Sequence, residues 1–267
     1  MSIRHYNPRR RRHGELSPRV NGLLNAVVGI AILLQVLYPL VDGEILRLLT
    51  INVVYWGAGA MLLHALLAYG TRYAITYFLF TFIFALTIEH VGLMTQWPFG
   101  DYSYSGNLGL KIFDVPLVVP FAWIMMAHPV LTAARRIAGN WVFLYGGVAL
   151  AAWDLFLDPL MVAQGNWTWV VTGAHVPFQP EIPLSNTFGW LLSGMFLIGV
   201  LHLITPREKR KGGATFLVTD VFLLWTLFSS FIGNLFFFSR PGVAFFAGGI
   251  FGIVLAPYFF NRWLGRP

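Results

Sequence analysis

Five of the ionisable side chains that lie inside long apolar stretches of this chain, where an ionised group is costly, are candidates for chemistry. They are Glu89, His90, Asp154, Asp158 and Asp220. A carboxylate inside an apolar segment of membrane-spanning length marks a functional site by default. Asp154 and Asp158 are four residues apart, so a helix would place both carboxyl groups on one face.

Buried carboxyl groups of this kind suit proton transfer to an apolar substrate. Burial away from water penalises the charged form, so a carboxyl group can hold a proton and deliver it as a general acid. A second carboxylate can orient or deprotonate water, and aromatic faces can stabilise a carbocation as they stabilise other cations. These parts suit hydration or isomerisation of an isoprenoid double bond, although the residues alone do not select that reaction.

The composition narrows the class of protein and the chemistry. The chain has no cysteine, which excludes disulfides, thiolate catalysis and cysteine-ligated metals. Hydrophobic residues make up 57% of it and charged residues only 11%, whereas a soluble domain has about 25% charged residues. This balance is typical of a protein that is surrounded by lipid.

The apolar pattern predicts an all-α fold, a polytopic membrane bundle with about eight transmembrane helices. A spanning helix needs about 20 mostly apolar residues. Eight stretches qualify, at 20–41, 46–67, 73–93, 115–134, 141–162, 186–203, 219–238 and 242–260. The predicted domains are a basic N-terminal segment, 1–19, and a single bundle, 20–267.

The distribution of lysine and arginine predicts the orientation. With the N-terminus in the cytoplasm, fifteen of the eighteen basic residues lie inside, and only Arg47, Lys111 and Arg240 lie outside. Because basic residues favour the cytoplasmic side, both termini are predicted to be cytoplasmic in a multi-pass protein of the cell membrane. The N-terminal arginines are interpreted as a topology signal that contacts membrane lipid. No nucleic-acid partner is expected, and the oligomeric state is open.

Two long connections, 95–114 and 163–185, fall on the outer side in this topology. Both are rich in Trp, Tyr, Phe, Pro and Gly and carry little charge. Long ordered loops are usually functional, so we expect these loops to cap the outer mouth of the bundle. An aromatic belt at the membrane interface is the simpler explanation of their composition.

The same topology predicts where the buried carboxyl groups converge. Glu89, Asp154 and Asp158 would lie in the outer parts of the third and fifth helices, beneath the long loops. Asn234 would lie in the outer half of the seventh helix. Asp220 would lie near the inner end of that helix, away from the others.

Some of these residues have structural alternatives. Asp158 precedes Pro159 and could end the fifth helix at the interface, and Asp220 could cap the start of the seventh helix. Glu89 is harder to explain structurally, because a buried glutamate needs a partner or a proton. No local spacing of ligands supports a metal site, so no metal is predicted.

Several stretches carry a resemblance to a known family. They are EHVG at 89–92, PFGDYSY at 98–104, LG at 108–109, VP at 115–116, AWDLFLDP at 152–159, Trp167, Trp169, IPLSN at 182–186 and GW at 189–190. Together they resemble the membrane-bound carotenoid biosynthesis proteins, which include carotenoid 1′,2′-hydratases and the archaeal bisanhydrobacterioruberin hydratase. Gln96 stands where that family usually has glycine, and this difference is compatible with a substrate that has a different end.

The resemblance implies a hydratase without a cofactor, which adds water across the terminal double bond of an acyclic carotenoid end and leaves a tertiary alcohol. The catalytic residues are then Glu89, Asp154 and Asp158. As a hypothesis, Asp154 or Glu89 donates the proton and Asp158 orients water. The predicted substrate-binding residues are His90, Asp101, Tyr102, Tyr104, Trp153, Asn186 and Asn234.

Two other functions remain open on sequence alone. The Asp154 and Asp158 spacing also resembles half of the magnesium–diphosphate motif of membrane prenyltransferases, but the sequence has no second motif of this form. A transporter of an apolar small molecule is the non-enzymatic alternative. Broken helices in matching halves would favour it, and the sequence shows no such symmetry.

Overall fold

The computed structural model describes residues 16–206 and 217–265, within which eight α-helices dominate. The helices are α1 (Pro18–Leu37), α2 (Gly43–Tyr69), α3 (Thr71–Thr95), α4 (Val118–Ile137), α5 (Val142–Ala163), α6 (Leu184–Ile204), α7 (Leu217–Ile232) and α8 (Pro241–Leu264). With their short extensions, all eight are long and apolar enough to cross a membrane. The prediction of an all-α polytopic membrane protein is confirmed.

The helix boundaries differ from the predicted ones by a few residues. A 3₁₀ turn, Tyr38–Leu40, extends α1, and a π-helical segment, Gly233–Phe237, extends α7. The predicted basic N-terminal segment lies outside the described residues, apart from its last four positions. The basic connection that precedes α7 also lies outside them.

The centre of the bundle is formed by α4 and α5. In these helices 83% and 72% of the most apolar stretch is buried, against 22–39% in the other six. Small residues allow this packing: a Cβ on Gly147 of α5 would lie 2.4 Å from Cγ of Met195 and 2.7 Å from the backbone oxygen of Leu191, both in α6. Glycine at this position therefore allows α6 to pack closely against α5.

Helix α5 continues through Pro159. Proline has no N–H, so the carbonyl of Leu155 loses its intrahelical donor. The side chain of Gln179 replaces that donor, with Nε2 at 2.9 Å from the Leu155 oxygen. The helix ends at Ala163. Asp158 therefore lies within α5, and the alternative that it ends the helix is wrong.

The two long loops contain six short strands that the sequence did not predict. They are β1 (Tyr102–Tyr104), β2 (Lys111–Ile112), β3 (Val115–Pro116), β4 (Trp167–Trp169), β5 (His175–Val176) and β6 (Gln179–Pro183). β1 pairs with β4 in antiparallel orientation, which joins the first loop to the second. β2 pairs with β3 and β5 with β6. The two loops thus form one connected cap over one end of the bundle.

The opposite end of the bundle has its own buried polar contacts. Asp220 accepts hydrogen bonds from the Tyr258 hydroxyl and from Arg262, whose Nη2 lies 2.6 Å from Oδ2. The rings of His64 and His128 meet with 2.9 Å between Nδ1 and Nε2. Asp220 therefore ties α7 to α8.

Single cysteines test the predicted orientation without background labelling, because the chain has none. Ser103 in β1 and Thr71 at the start of α3 are both exposed and lie at opposite ends of the bundle. We expect Ser103→Cys to react with a membrane-impermeant maleimide in intact cells. We expect Thr71→Cys to react only after the cells are opened. The reverse pattern would place the termini outside.

Candidate active site

A cavity beneath the cap gathers most of the predicted site residues, and we call it the capped cavity. It holds about 50 Å³ of space that water-sized molecules can reach, which is room for a few waters. Glu89, Asp158 and Asn186 supply polar groups to it. The aromatic residues of its lining are Phe99, Tyr102, Tyr104, Trp123, Trp167, Trp169 and Trp190.

Glu89 is held by three hydrogen-bond donors from outside its own helix. The hydroxyls of Tyr102 and Tyr104 both donate to Oε2 at 2.8 Å. The indole N–H of Trp123 donates to Oε1 at 3.1 Å. A carboxylate only accepts hydrogen bonds, whereas a carboxylic acid must also donate one. The three donors therefore stabilise the ionised form of Glu89, and the two tyrosine hydroxyls can also accept a hydrogen bond from its protonated form.

The two tyrosines reach Glu89 because they lie on one face of β1. Alternate residues of a strand point to the same side, and β4 holds β1 in place through the pairs Tyr102–Trp169 and Tyr104–Trp167. Burial, and then the neighbouring Glu89, raise the pKa of both phenols. Tyr102 and Tyr104 therefore keep their protons and remain donors to Glu89.

Asp154 and Asp158 share a single donor group. Asn186, in the first turn of α6, donates from Nδ2 to Oδ2 of Asp154 at 3.1 Å and also to Oδ2 of Asp158. Both aspartates are at most 2% exposed. Two buried carboxylates side by side repel each other, so this arrangement favours a single proton held by the pair. Only Asp158 of the two lines the capped cavity.

Tryptophans form much of the cavity wall. The rings of Trp123 and Trp190 stack with 4.2 Å between centroids and 7° between planes. The buried indole N–H of Trp167 lies beside the Asp158 carboxyl group, without a hydrogen bond of good geometry. The wall thus offers both electron-rich faces and an N–H donor close to Asp158.

Among the described residues, no three His, Asp or Glu side chains lie close enough together to hold one metal ion. Glu89 therefore does not join the Asp154–Asp158 pair in a metal-binding group, although it lines the same cavity as Asp158. The carboxyl groups therefore form two centres, one on α3 and one on α5.

Two of the predicted binding residues point away from the capped cavity. Nδ1 of His90 lies 3.1 Å from the backbone oxygen of Phe113, because neighbouring residues of a helix point about 100° apart. Asp101 is exposed, because it precedes Tyr102 in an extended segment and points to the opposite side. Both residues contribute to the cap and its surface.

Asn234 and Trp153 also lie outside the lining. Asn234 lies in the π-helical segment after α7 and donates from Nδ2 to the Ser230 oxygen at 2.9 Å. Trp153 packs edge-on against Trp190, with 5.9 Å between centroids, and lines a neighbouring cavity. Trp153 therefore supports the wall of the capped cavity from behind.

Sequence reasoning missed Trp123 and Gln179 as part of the site. Trp123 lies within two turns of the start of α4, where tryptophan is common as an interface anchor, so no local signal marks it as a donor to Glu89. Gln179 begins β6 and donates to the Leu155 carbonyl, which Pro159 leaves without its helical donor. The only signal for Gln179 is that Pro159 within a long apolar stretch leaves a carbonyl without its donor.

Comparisons with known proteins place this site within a family. The family described as "Carotenoid biosynthesis protein" matches residues 49–255, a range that includes the whole lining of the capped cavity. The bisanhydrobacterioruberin hydratase of Haloarcula japonica is 30% identical over 165 residues, which are 57% of this chain and 55% of that protein. The chain thus spans about half the length of this curated relative. No solved structure matches.

We expect the donor shared by the two aspartates to contribute measurably to stability. Asn186→Leu removes it and leaves two buried carboxyl groups without that partner, which costs about 1–3 kcal/mol for an unsatisfied group. We expect the thermal midpoint of the detergent-solubilised protein to fall. The loss should be smaller when Asp158→Asn is added, because the new amide can donate to Asp154.

Asn52→Leu is the matched control for this substitution. Asn52 is exposed on α2, and within the described part of the chain its side chain donates only to the backbone oxygen of Leu48, so we expect a change within about 0.5 kcal/mol. Equal losses in the Asn186 and Asn52 variants would show that the shared donor contributes nothing.

Proposed function

This chain belongs to the carotenoid biosynthesis protein family, and on that premise we propose that it is a carotenoid hydratase. It adds water across the terminal double bond of an acyclic carotenoid end and leaves a tertiary alcohol. One observation supports this proposal most strongly. Asp158, which shares the Asn186 donor with Asp154, and Glu89, which accepts hydrogen bonds from three donors, line the same aromatic cavity. The name of the Haloarcula relative, a hydratase, supports the same reaction.

In the first step, Asp158 donates a proton to the less substituted carbon of the terminal double bond. The other carbon, which carries two methyl groups, becomes a tertiary carbocation. Donation of the shared proton leaves both aspartates ionised, and the N–H of Asn186 and the adjacent carbocation stabilise this negative charge until the proton returns. Faces of Trp123 and Trp190 stabilise the cation.

In the second step, water binds the carbocation and loses a proton to Glu89. Water that has bonded to a carbocation is strongly acidic, so a carboxylate weakened as a base by three donors still accepts its proton. A proton then returns from Glu89 to the aspartate pair through water in the cavity. One water is consumed for each end, and no oxidant or reductant takes part.

This assignment changes the roles in the sequence-based hypothesis. There, Asp154 or Glu89 donated the proton and Asp158 oriented water. Asp154 does not line the capped cavity, whereas Asp158 does. Three donors stabilise Glu89 as a carboxylate, the form that can take a proton from water. We therefore assign donation to Asp158 and water activation to Glu89.

Expression in a bacterium that accumulates lycopene tests this function. We expect mass spectrometry to show carotenoids heavier by one water for each reacted end. Asp158→Asn and Glu89→Gln should each lower the product at least about 100-fold, because positioned proton transfer contributes 10²–10⁴-fold.

Asp114→Asn is the control for these variants, because Asp114 is an exposed carboxylate of the same cap. We expect it to leave the product unchanged. Full activity in Asp158→Asn would contradict the assignment of the donor. A well-inserted wild-type protein that hydrates neither lycopene nor longer or monocyclic carotenoids would contradict the function itself.

Chelation separates the hydratase from a membrane prenyltransferase. Transfer from a prenyl diphosphate needs magnesium and basic side chains beside the acidic motif. Described residues that line the capped cavity include no Lys or Arg, and Lys111 donates to the backbone of Tyr104. We expect EDTA to leave hydration by membranes unchanged. Loss of product that magnesium restores would favour prenyl transfer.

A further inference from the structure

A second cavity opens beside the capped cavity, and we call it the lateral groove. It lies among α1, α2, α5 and α7 and holds about 390 Å³, within the usual range of ligand pockets, roughly 300–1,000 Å³. Part of its lining belongs to the surface that faces lipid: Leu40 is 65% exposed, Phe228 56% and Phe237 52%. The groove therefore opens sideways, toward the hydrocarbon of the membrane.

We propose that the lateral groove binds the isoprenoid chain of the carotenoid, so that the end of the chain enters the capped cavity from the side. This inference rests on the proposed function. Four residues line both cavities, Thr50 and Val54 of α2 and Leu157 and Met161 of α5. One layer of side chains therefore separates the two spaces. Methionine is flexible and adapts to irregular contacts, so this layer can yield to an apolar chain.

Two of the hydroxyl groups that line the groove point to backbone carbonyls. The Thr226 hydroxyl donates to the Phe222 carbonyl at 2.8 Å, and the Ser229 hydroxyl lies 3.5 Å from the carbonyl of Thr226. Both are directed to the backbone of their own helix, a common arrangement for Ser and Thr. The groove thus presents mainly carbon surface, which suits a polyene.

The rim of the groove is formed by two non-standard helical segments. The 3₁₀ turn Tyr38–Leu40 lies on one side and the π-helical segment Gly233–Phe237 on the other. π-helical segments are rare and frequently occur at functional sites. A Cβ on Gly233 would lie 2.7 Å from the Phe238 ring, so glycine leaves room for that ring to meet Tyr38 edge-on, at 6.2 Å between centroids.

Filling the groove tests the proposal through binding alone. In the Asp158→Asn background, which we expect to bind without turnover, protein is purified from lycopene-accumulating cells and carotenoid absorbance is measured per mole of protein. Ser229→Phe places a ring in the groove, and we expect retained pigment to fall at least about tenfold. Ser229→Leu should give a smaller loss, and it replaces the phenylalanine variant if that variant does not fold.

Thr87→Phe is the matched control, because Thr87 is exposed on α3 and lines neither cavity. We expect it to retain pigment as its parent does. A second readout uses turnover: Ser229→Phe in the otherwise unchanged protein should lower hydration of lycopene more than hydration of a short acyclic terpene with the same end. The short substrate needs little of the groove.

The outcomes separate this proposal from the proposed function. Normal pigment retention in both Ser229 variants, or equal loss of activity on long and short substrates, would overturn the groove as the binding site. Groove-dependent pigment retention in a protein that hydrates no carotenoid would overturn the hydratase and leave the groove standing. If detergent removes the pigment from every variant, the comparison of hydration rates on long and short substrates tests whether the groove binds the carotenoid chain.

Discussion

The structure depends on supplying partners to three carboxyl groups buried in a membrane bundle. An unpaired polar group there costs several kcal/mol, and Glu89, Asp154 and Asp158 are each at most 3% exposed. Their donors come from other elements: β1 and α4 serve Glu89, and Asn186 of α6 serves both aspartates. The loops therefore have to fold over the helices, and α6 has to pack closely on α5.

Small residues in the stretches that resemble the family make these contacts sterically feasible. A Cβ on Gly92 would lie 2.8 Å from the Tyr102 hydroxyl, and one on Gly189 would lie 2.6 Å from the Phe99 ring. Glycine at these two positions lets the cap lie directly on α3 and α6. Several stretches that resemble the family are thus spatial neighbours, because they supply a carboxyl group, a donor or the space that one of them needs.

Much of the helical fold was predictable from the sequence, but the pairing of the loop strands and the directions of several side chains were not. Long apolar stretches predict eight helices because the requirement to span a membrane is simple, and the four-residue spacing of Asp154 and Asp158 predicts their shared face. The pairing of β1 with β4 depends on contacts between residues far apart in the sequence. His90 and Asp101 adjoin site residues in the chain but face elsewhere, and Asn234 bonds to its own helix. The orientation in the membrane stays a prediction.

Incorporation of oxygen from isotopically labelled water tests the central claim most directly. The purified protein in lipid vesicles receives an acyclic carotenoid in labelled water, without added cofactor, and the product is analysed by mass spectrometry. We predict a tertiary alcohol that carries one labelled oxygen for each reacted end. An alcohol whose oxygen does not come from water, or the absence of any alcohol from protein that binds the carotenoid, would contradict a hydratase.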